Sequence, residues 1–111
     1  MIAHIVLLEP RPDLTDEQRH EALLTLAHAA ANVPEIRSFR FGTRVKHGMP
    51  GYEQTMATDY GFALIVEVDD VDALKRYLTA PAHRALGTLF STATASALAY
   101  DYEFTPQLPS A

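Results

Sequence analysis

The stretch YLTAPAH, Tyr77 to His83, sets a phenol and an imidazole on either side of a proline. Helix-forming residues run up to Ala80, and Pro81 suits the first position of a new helix, where its missing N–H costs nothing. His83 then falls at the third helical position, where the positive end of the helix dipole disfavours imidazolium. A ring that stays neutral near pH 7 suits a general base. In one continuous helix Tyr77 and His83 would point to different faces. A break at Ala80-Pro81 swings them toward each other. The tyrosine hydroxyl would then hold a substrate carbonyl while the histidine takes a proton. The same two residues also suit a helix corner, each making one structural hydrogen bond.

His4 sits mid-strand among Ile2, Ala3, Ile5 and Val6. If its side chain faces the helices it joins Tyr77 and His83 at one cavity; if it faces outward it belongs to a subunit interface. His20 and His28 lie about 80° apart around a helix axis, too far for a two-ligand metal site. His47 falls in a glycine-containing loop, exposed or part of a lid. Asp101, between Tyr100 and Tyr102, reads as a structural or interfacial carboxylate. Glu67 and Asp69 read as solvent-facing or capping groups. No phosphate-binding glycine loop and no G-x-S-x-G elbow occurs, so nucleotide-dependent and serine-hydrolase chemistry have no support.

These residues need a scaffold, and hydrophobic periodicity supplies one. Ile2 to Glu9 is a β-rich, almost wholly apolar run, as expected of a strand covered on both faces. Thr15-Asp16-Glu17-Gln18 has the form of a capping box. The helix it opens carries an apolar stripe of Ala22, Leu23, Leu26, Ala29, Ala30 and Val33 and stops at Pro34. Glu35 to Val45 alternates as a strand, residues 46–59 form a loop, and Tyr60 to Val68 is the next strand. Asp69 or Asp70 caps a helix that breaks at Pro81 and resumes through residues 82–97, before a last strand, Leu98 to Phe104. The order β-α-β-β-α-β predicts an α+β, ferredoxin-like split βαβ fold over residues 1–104, with a flexible tail at 105–111. Apolar residues recur on both faces of the strands, so the face without helices needs cover. A second copy is the simplest cover, which predicts a homodimer through the sheet face.

Bulk properties narrow the partners. The chain has 111 residues, 48% of them hydrophobic, which suits one domain. Its net charge is −5 with no basic run, which argues against nucleic acid and anionic membrane. The apolar run at the N-terminus is far shorter than the roughly 20 residues of a membrane span and lacks the flanks of a signal peptide. No cysteine is present, which removes disulfides and thiol chemistry and fits a cytoplasmic setting. No ligand spacing asks for a metal, and no cofactor is expected.

With these residues in view, the chain resembles the stress-responsive α/β-barrel domain (Dabb) family. The carrying stretches are MIAHIVLLEPRP, VPEIRSFRFGTRV, YGFALIVEVDDVDALKRYLTAPAH and YDYEF, which span most of the sequence; Y-x-x-x-P-x-H is the most specific. The resemblance implies two subunits closing their sheets into a barrel. A plant polyketide cyclase of the family works without a cofactor through a tyrosine and a histidine that match Tyr77 and His83, with a strand-one histidine matching His4. It also implies a substrate pocket at Phe62, Tyr60 and Ala80, more apolar than the cyclase's, since Phe62 and Ala80 stand where histidines occur in relatives. The expected function is a small cofactor-free enzyme, cyclase-like or of lyase or isomerase type, acting on a carbonyl-bearing aromatic or polyketide-like molecule. His83 would be the general base, Tyr77 the oxyanion support, and His4 a substrate-orienting group. The alternatives are a non-catalytic ligand-binding or stress-associated homodimer and a cofactor-free monooxygenase.

Overall fold

A computed structural model describes residues 1–52 and 57–108. Four strands form one antiparallel sheet: β1 (Ile2–Pro10), β2 (Ser38–Thr43), β3 (Phe62–Val68) and β4 (Thr94–Glu103), in the order β2-β3-β1-β4. Three helices cover one face: α1 (Asp16–Asn32), α2 (Val71–Thr79) and α3 (Pro81–Ala93). This is the ferredoxin-like α+β arrangement, with the second helical segment split at the proline.

The alternation of β1 divides the molecule. Ile2, His4, Val6 and Leu8 point to the helices and are buried, meeting Val68, Val66, Leu64 and Phe62 across the β3 register. From the helices come Leu26 and Ala29 of α1, Ala73, Leu74 and Tyr77 of α2, and Ala82 and Leu86 of α3. Ile5 and Leu7 point the other way, beside Ile65, Tyr100 and Leu98. That face carries no helix, and Tyr100 and Tyr102 on it are exposed.

Local chemistry sets the element ends. Thr15 accepts from the Gln18 backbone N–H at 3.1 Å while Gln18 Oε1 accepts from the Thr15 N–H at 2.8 Å, closing the capping box before α1. Asp70, not Asp69, caps α2 by accepting from the Ala73 N–H at 2.8 Å. Asp69 instead pairs with Arg37, and Glu67 with Arg40.

Several expected boundaries move. The predicted strands around residues 35–45 and 60–68 shrink to Ser38–Thr43 and Phe62–Val68, while the Arg37 and Arg44 N–H groups still donate to the Glu67 and Gly61 carbonyls. The last helix ends at Ala93, and β4 begins at Thr94, not Leu98. Arg11 explains this shift. Its backbone N–H donates to the Ala93 carbonyl and its guanidinium to the Thr92 carbonyl, so the chain leaves the helix where it can pair with the end of β1. β-branched Thr94 fits that pleat better than a helix interior. The stripe on α1 is narrower than its periodicity suggests, with Leu23 exposed. Residues 105–108 carry no helix or strand, and the rest of the predicted tail lies outside the described residues.

Candidate functional site

The break between α2 and α3 is one residue wide. Ala80 has φ −66° and ψ 144°, an extended conformation that serves as the C-cap of α2 and the N-cap of α3 together. Its N–H donates to the Tyr77 carbonyl at 3.1 Å, and its own carbonyl accepts from the His83 N–H at 3.0 Å. Pro81 needs no partner at this position. The turn brings Tyr77, at the end of one helix, over His83, at the start of the next. Their ring centroids stand 4.9 Å apart, edge to face.

His4 joins them from below. Its ring lies 5.7 Å from Tyr77 and 6.1 Å from His83. His4 is therefore on the helix side of β1, and the three residues singled out in the sequence converge. A fourth residue completes the group. Asp101 stands opposite His4 in the β1–β4 register, with Oδ1 2.6 Å from His4 Nδ1. A carboxylate only accepts, so Nδ1 is the donor, and Nε2 is left on the other side of the ring.

Burial sets the protonation of the pair above. Tyr77 is only 1% exposed, and burial, helped by the negative charge of Asp101, pushes its hydroxyl up to about 12. It is a hydrogen-bond donor at any physiological pH. Among the described residues no buried side-chain oxygen or nitrogen lacks a partner. His83 is half-buried and titrates below the ordinary histidine value, first through burial and then through neighbouring His4. The Leu78 backbone and Asp101 pull the other way. The direction matches the helix-dipole expectation, but desolvation leads. The arrangement brings together an imidazole biased toward its neutral form, a protonated phenol and a second imidazole whose Nδ1–H is held by Asp101.

The three residues expected to line the pocket separate. Ala80 is half-buried at the helix junction. Tyr60 bonds Ser96 through its hydroxyl at 3.1 Å. Phe62 stacks on Phe41 and lines a cavity of about 270 Å³ with Leu8, Leu26 and Phe90, one that none of His4, Tyr77 or His83 touches. His20 and His28 are exposed, the latter bonded to Asn32, and His47 accepts from the Met49 N–H. Among the described residues no three His, Asp or Glu side chains gather as metal ligands.

The model of the stress responsive A/B barrel domain matches residues 2–104. The chain belongs to this Dabb family. Solved structures agree with the assignment of fold. A dimeric ferredoxin-like protein of unknown function from Thermobifida fusca YX shares 25% identity, with 93% of this chain and 90% of that one covered, at a TM-score of 0.71. A dimeric protein of the same fold from Bacteroides fragilis NCTC 9343 shares 29% identity over 93% and 95% of the two chains, at a TM-score of 0.63. The Passiflora edulis hydroxynitrile lyase shares 18% identity over 97% and 96%, with a TM-score of 0.79, a likeness of fold. No curated protein matches this Dabb chain in sequence. No helix among the described residues of the Dabb domain is long and apolar enough to cross a membrane.

Asp101 is the site residue that sequence reasoning missed. The signal was the alternation of β4. Tyr100 and Tyr102 mark the outer face, so Asp101 must point to the helix side, where His4 waits.

Proposed function

We propose that this Dabb protein is a small cofactor-free enzyme acting on a carbonyl-bearing aromatic or polyketide-like molecule, and that it works as a homodimer. The observation that carries the reading is the convergence of the His83, Tyr77 and Asp101-held His4 rings at the break between α2 and α3.

The unprotonated ring nitrogen of His83 takes a proton from the carbon beside the carbonyl. The C–H electron pair forms a C=C bond, and the carbonyl π pair moves onto oxygen. Tyr77 donates its hydroxyl hydrogen bond to that developing oxyanion. The imidazolium of His83 then returns the proton to carbon or to a leaving group. His4 orients the substrate through Nε2. Aldol-type cyclisation and keto–enol isomerisation both pass through this step, and the same fold also serves a hydroxynitrile lyase in Passiflora edulis. The apolar outer face of the sheet and the dimeric state of two structural relatives support the pairing of two sheets. The cysteine-free sequence agrees with a reducing, cytoplasmic setting.

Proton abstraction can be read without knowing the full reaction. Hydroxylated aryl ketones and polyketide-lactone mimics are incubated with the protein in deuterated water, and loss of the α-proton signal is followed by NMR. The parent should accelerate exchange for at least one compound. His83→Ala should lower that rate by about 10²–10⁴-fold, and Tyr77→Phe by roughly 10²–10³-fold. Equal exchange in parent and both variants would sink the proposal.

A further inference from the structure

The register places each side chain on the helix-free face of the sheet in a column and a row. On the edge strand β2 that face carries Ser38, Arg40 and Gly42, and on the opposite edge strand β4 it carries Tyr102, Tyr100 and Leu98. Arg40 and Tyr100 are the two ends of the middle row, joined through Ile65 and Ile5.

The two edges differ in size and chemistry. The β4 column is bulky, with Tyr100 and Tyr102 each more than half exposed. The β2 column is small at both ends, and a Cβ added at Gly42 would meet nothing within 4 Å. Arg40 stands in its middle, its side chain 65% exposed. Its Nη2 donates to Glu67 Oε1 at 3.1 Å. That bond lies in the plane of the guanidinium and does not use its flat face.

Symmetry limits how two copies of such a face can meet. With strands nearly aligned, the two-fold axis runs either across the strands or along them. An axis across the strands sets each edge on its own copy. Tyr100 then meets the partner's Tyr100, and Arg40 meets the partner's Arg40. One side is crowded, while the other holds a gap and two like charges. An axis along the strands sets β4 on the partner's β2, row on row. Tyr102 then covers the partner's Ser38, and Leu98 covers the partner's Gly42. Large residues meet small ones at the two ends, and between them Tyr100 offers its ring to the flat face of the partner's Arg40.

We propose that two copies pair with the two-fold axis along the strands, and that Arg40 selects this pairing by lying on the partner's Tyr100. The inference rests on the homodimer proposed above and adds its geometry and its specificity residue.

The chain has no cysteine, so introduced thiols report position directly. Ser38→Cys, Tyr102→Cys, the double variant of the two and Tyr100→Cys are treated with a short bismaleimide and run on a denaturing gel. Within one subunit β2 and β4 are three strand spacings apart, about 14 Å, beyond such a linker. The double variant should give covalent dimers, and each single variant should stay monomeric on the gel. Sedimentation then measures the dissociation constant. Arg40→Ala should raise it about tenfold, because the contact occurs twice per dimer. Arg40→Lys should raise it less, and Tyr100→Phe should leave it unchanged. Arg40→Ala should add little to Tyr100→Ala, since the two act as one contact. In a dimeric parent, cross-linking of Tyr100→Cys alone, absence of cross-linking in the double variant, or additive effects of Arg40→Ala and Tyr100→Ala would overturn this geometry and leave the homodimer standing. A parent that sediments as a monomer at every concentration would overturn both.

Discussion

His83 owes its character to three neighbours on three different elements. Its own helix start buries it, His4 on β1 repels a second positive charge, and Asp101 on β4 partly offsets both. Because its folded-state pKa lies below the unfolded value of 6.5, the unfolded chain binds this proton more readily. The resulting penalty is absent well above pH 6.5 and grows as pH falls through 6.5 toward the folded value. Urea midpoints measured between pH 7.5 and 5.5 should therefore drop less in His83→Gln than in the parent. Tyr77 and His83 were legible as a pair because a proline at fixed spacing has a single good place relative to a helix. His4 was legible as a polar residue in an apolar strand, but its face was not. Its partner Asp101 was hidden for a related reason: the bond spans the β1–β4 pairing, whose register follows from the whole sheet and not from either strand alone.

The helices hold the cluster at the scale of elements. α2 and α3 deliver Tyr77 and His83 only because each has its own start, Asp70 for one and Pro81 for the other. α1 has no part in the cluster but closes the cavity through Leu26, and its capping box was readable directly from Thr15 and Gln18. Thr15→Ala removes the side-chain acceptor for the Gln18 N–H and should cost about 1 kcal/mol in chemical denaturation. The ends of α3 and β4 were not readable in the same way. Residues 94–97, Thr-Ala-Ser-Ala, suit a helix in isolation, and only the pull of Arg11 and the ladder with β1 assign them to a strand. Tertiary pairing overrides local preference there.

At the scale of the molecule the two faces of the sheet have different fates. The helix face is closed by the domain itself. The other face presents Ile5, Leu7, Ile65, Leu98, Tyr100 and Tyr102, a surface larger in apolar content than a lone domain needs. The proposed homodimer should become a monomer in light scattering when Leu98 and Tyr100 are together replaced by lysine. The helix-face core should stay folded by circular dichroism, since both side chains are exposed within one subunit. Near-continuous hydrophobicity of β1 was the sequence sign of a two-sided sheet. The cavity had no such sign, because its lining is drawn from α1, α3 and all four strands and not from any one motif.

The most direct test of the cluster needs no substrate. The imidazole of His83, assigned by NMR, is titrated in the parent and in His4→Ala and Asp101→Asn. The parent should titrate below 6.5. Removing His4 should raise the midpoint, because a repelling charge is lost, and removing the Asp101 charge should lower it. A parent midpoint at or above 6.5, unmoved by either variant, would contradict a coupled site with His83 as its neutral base.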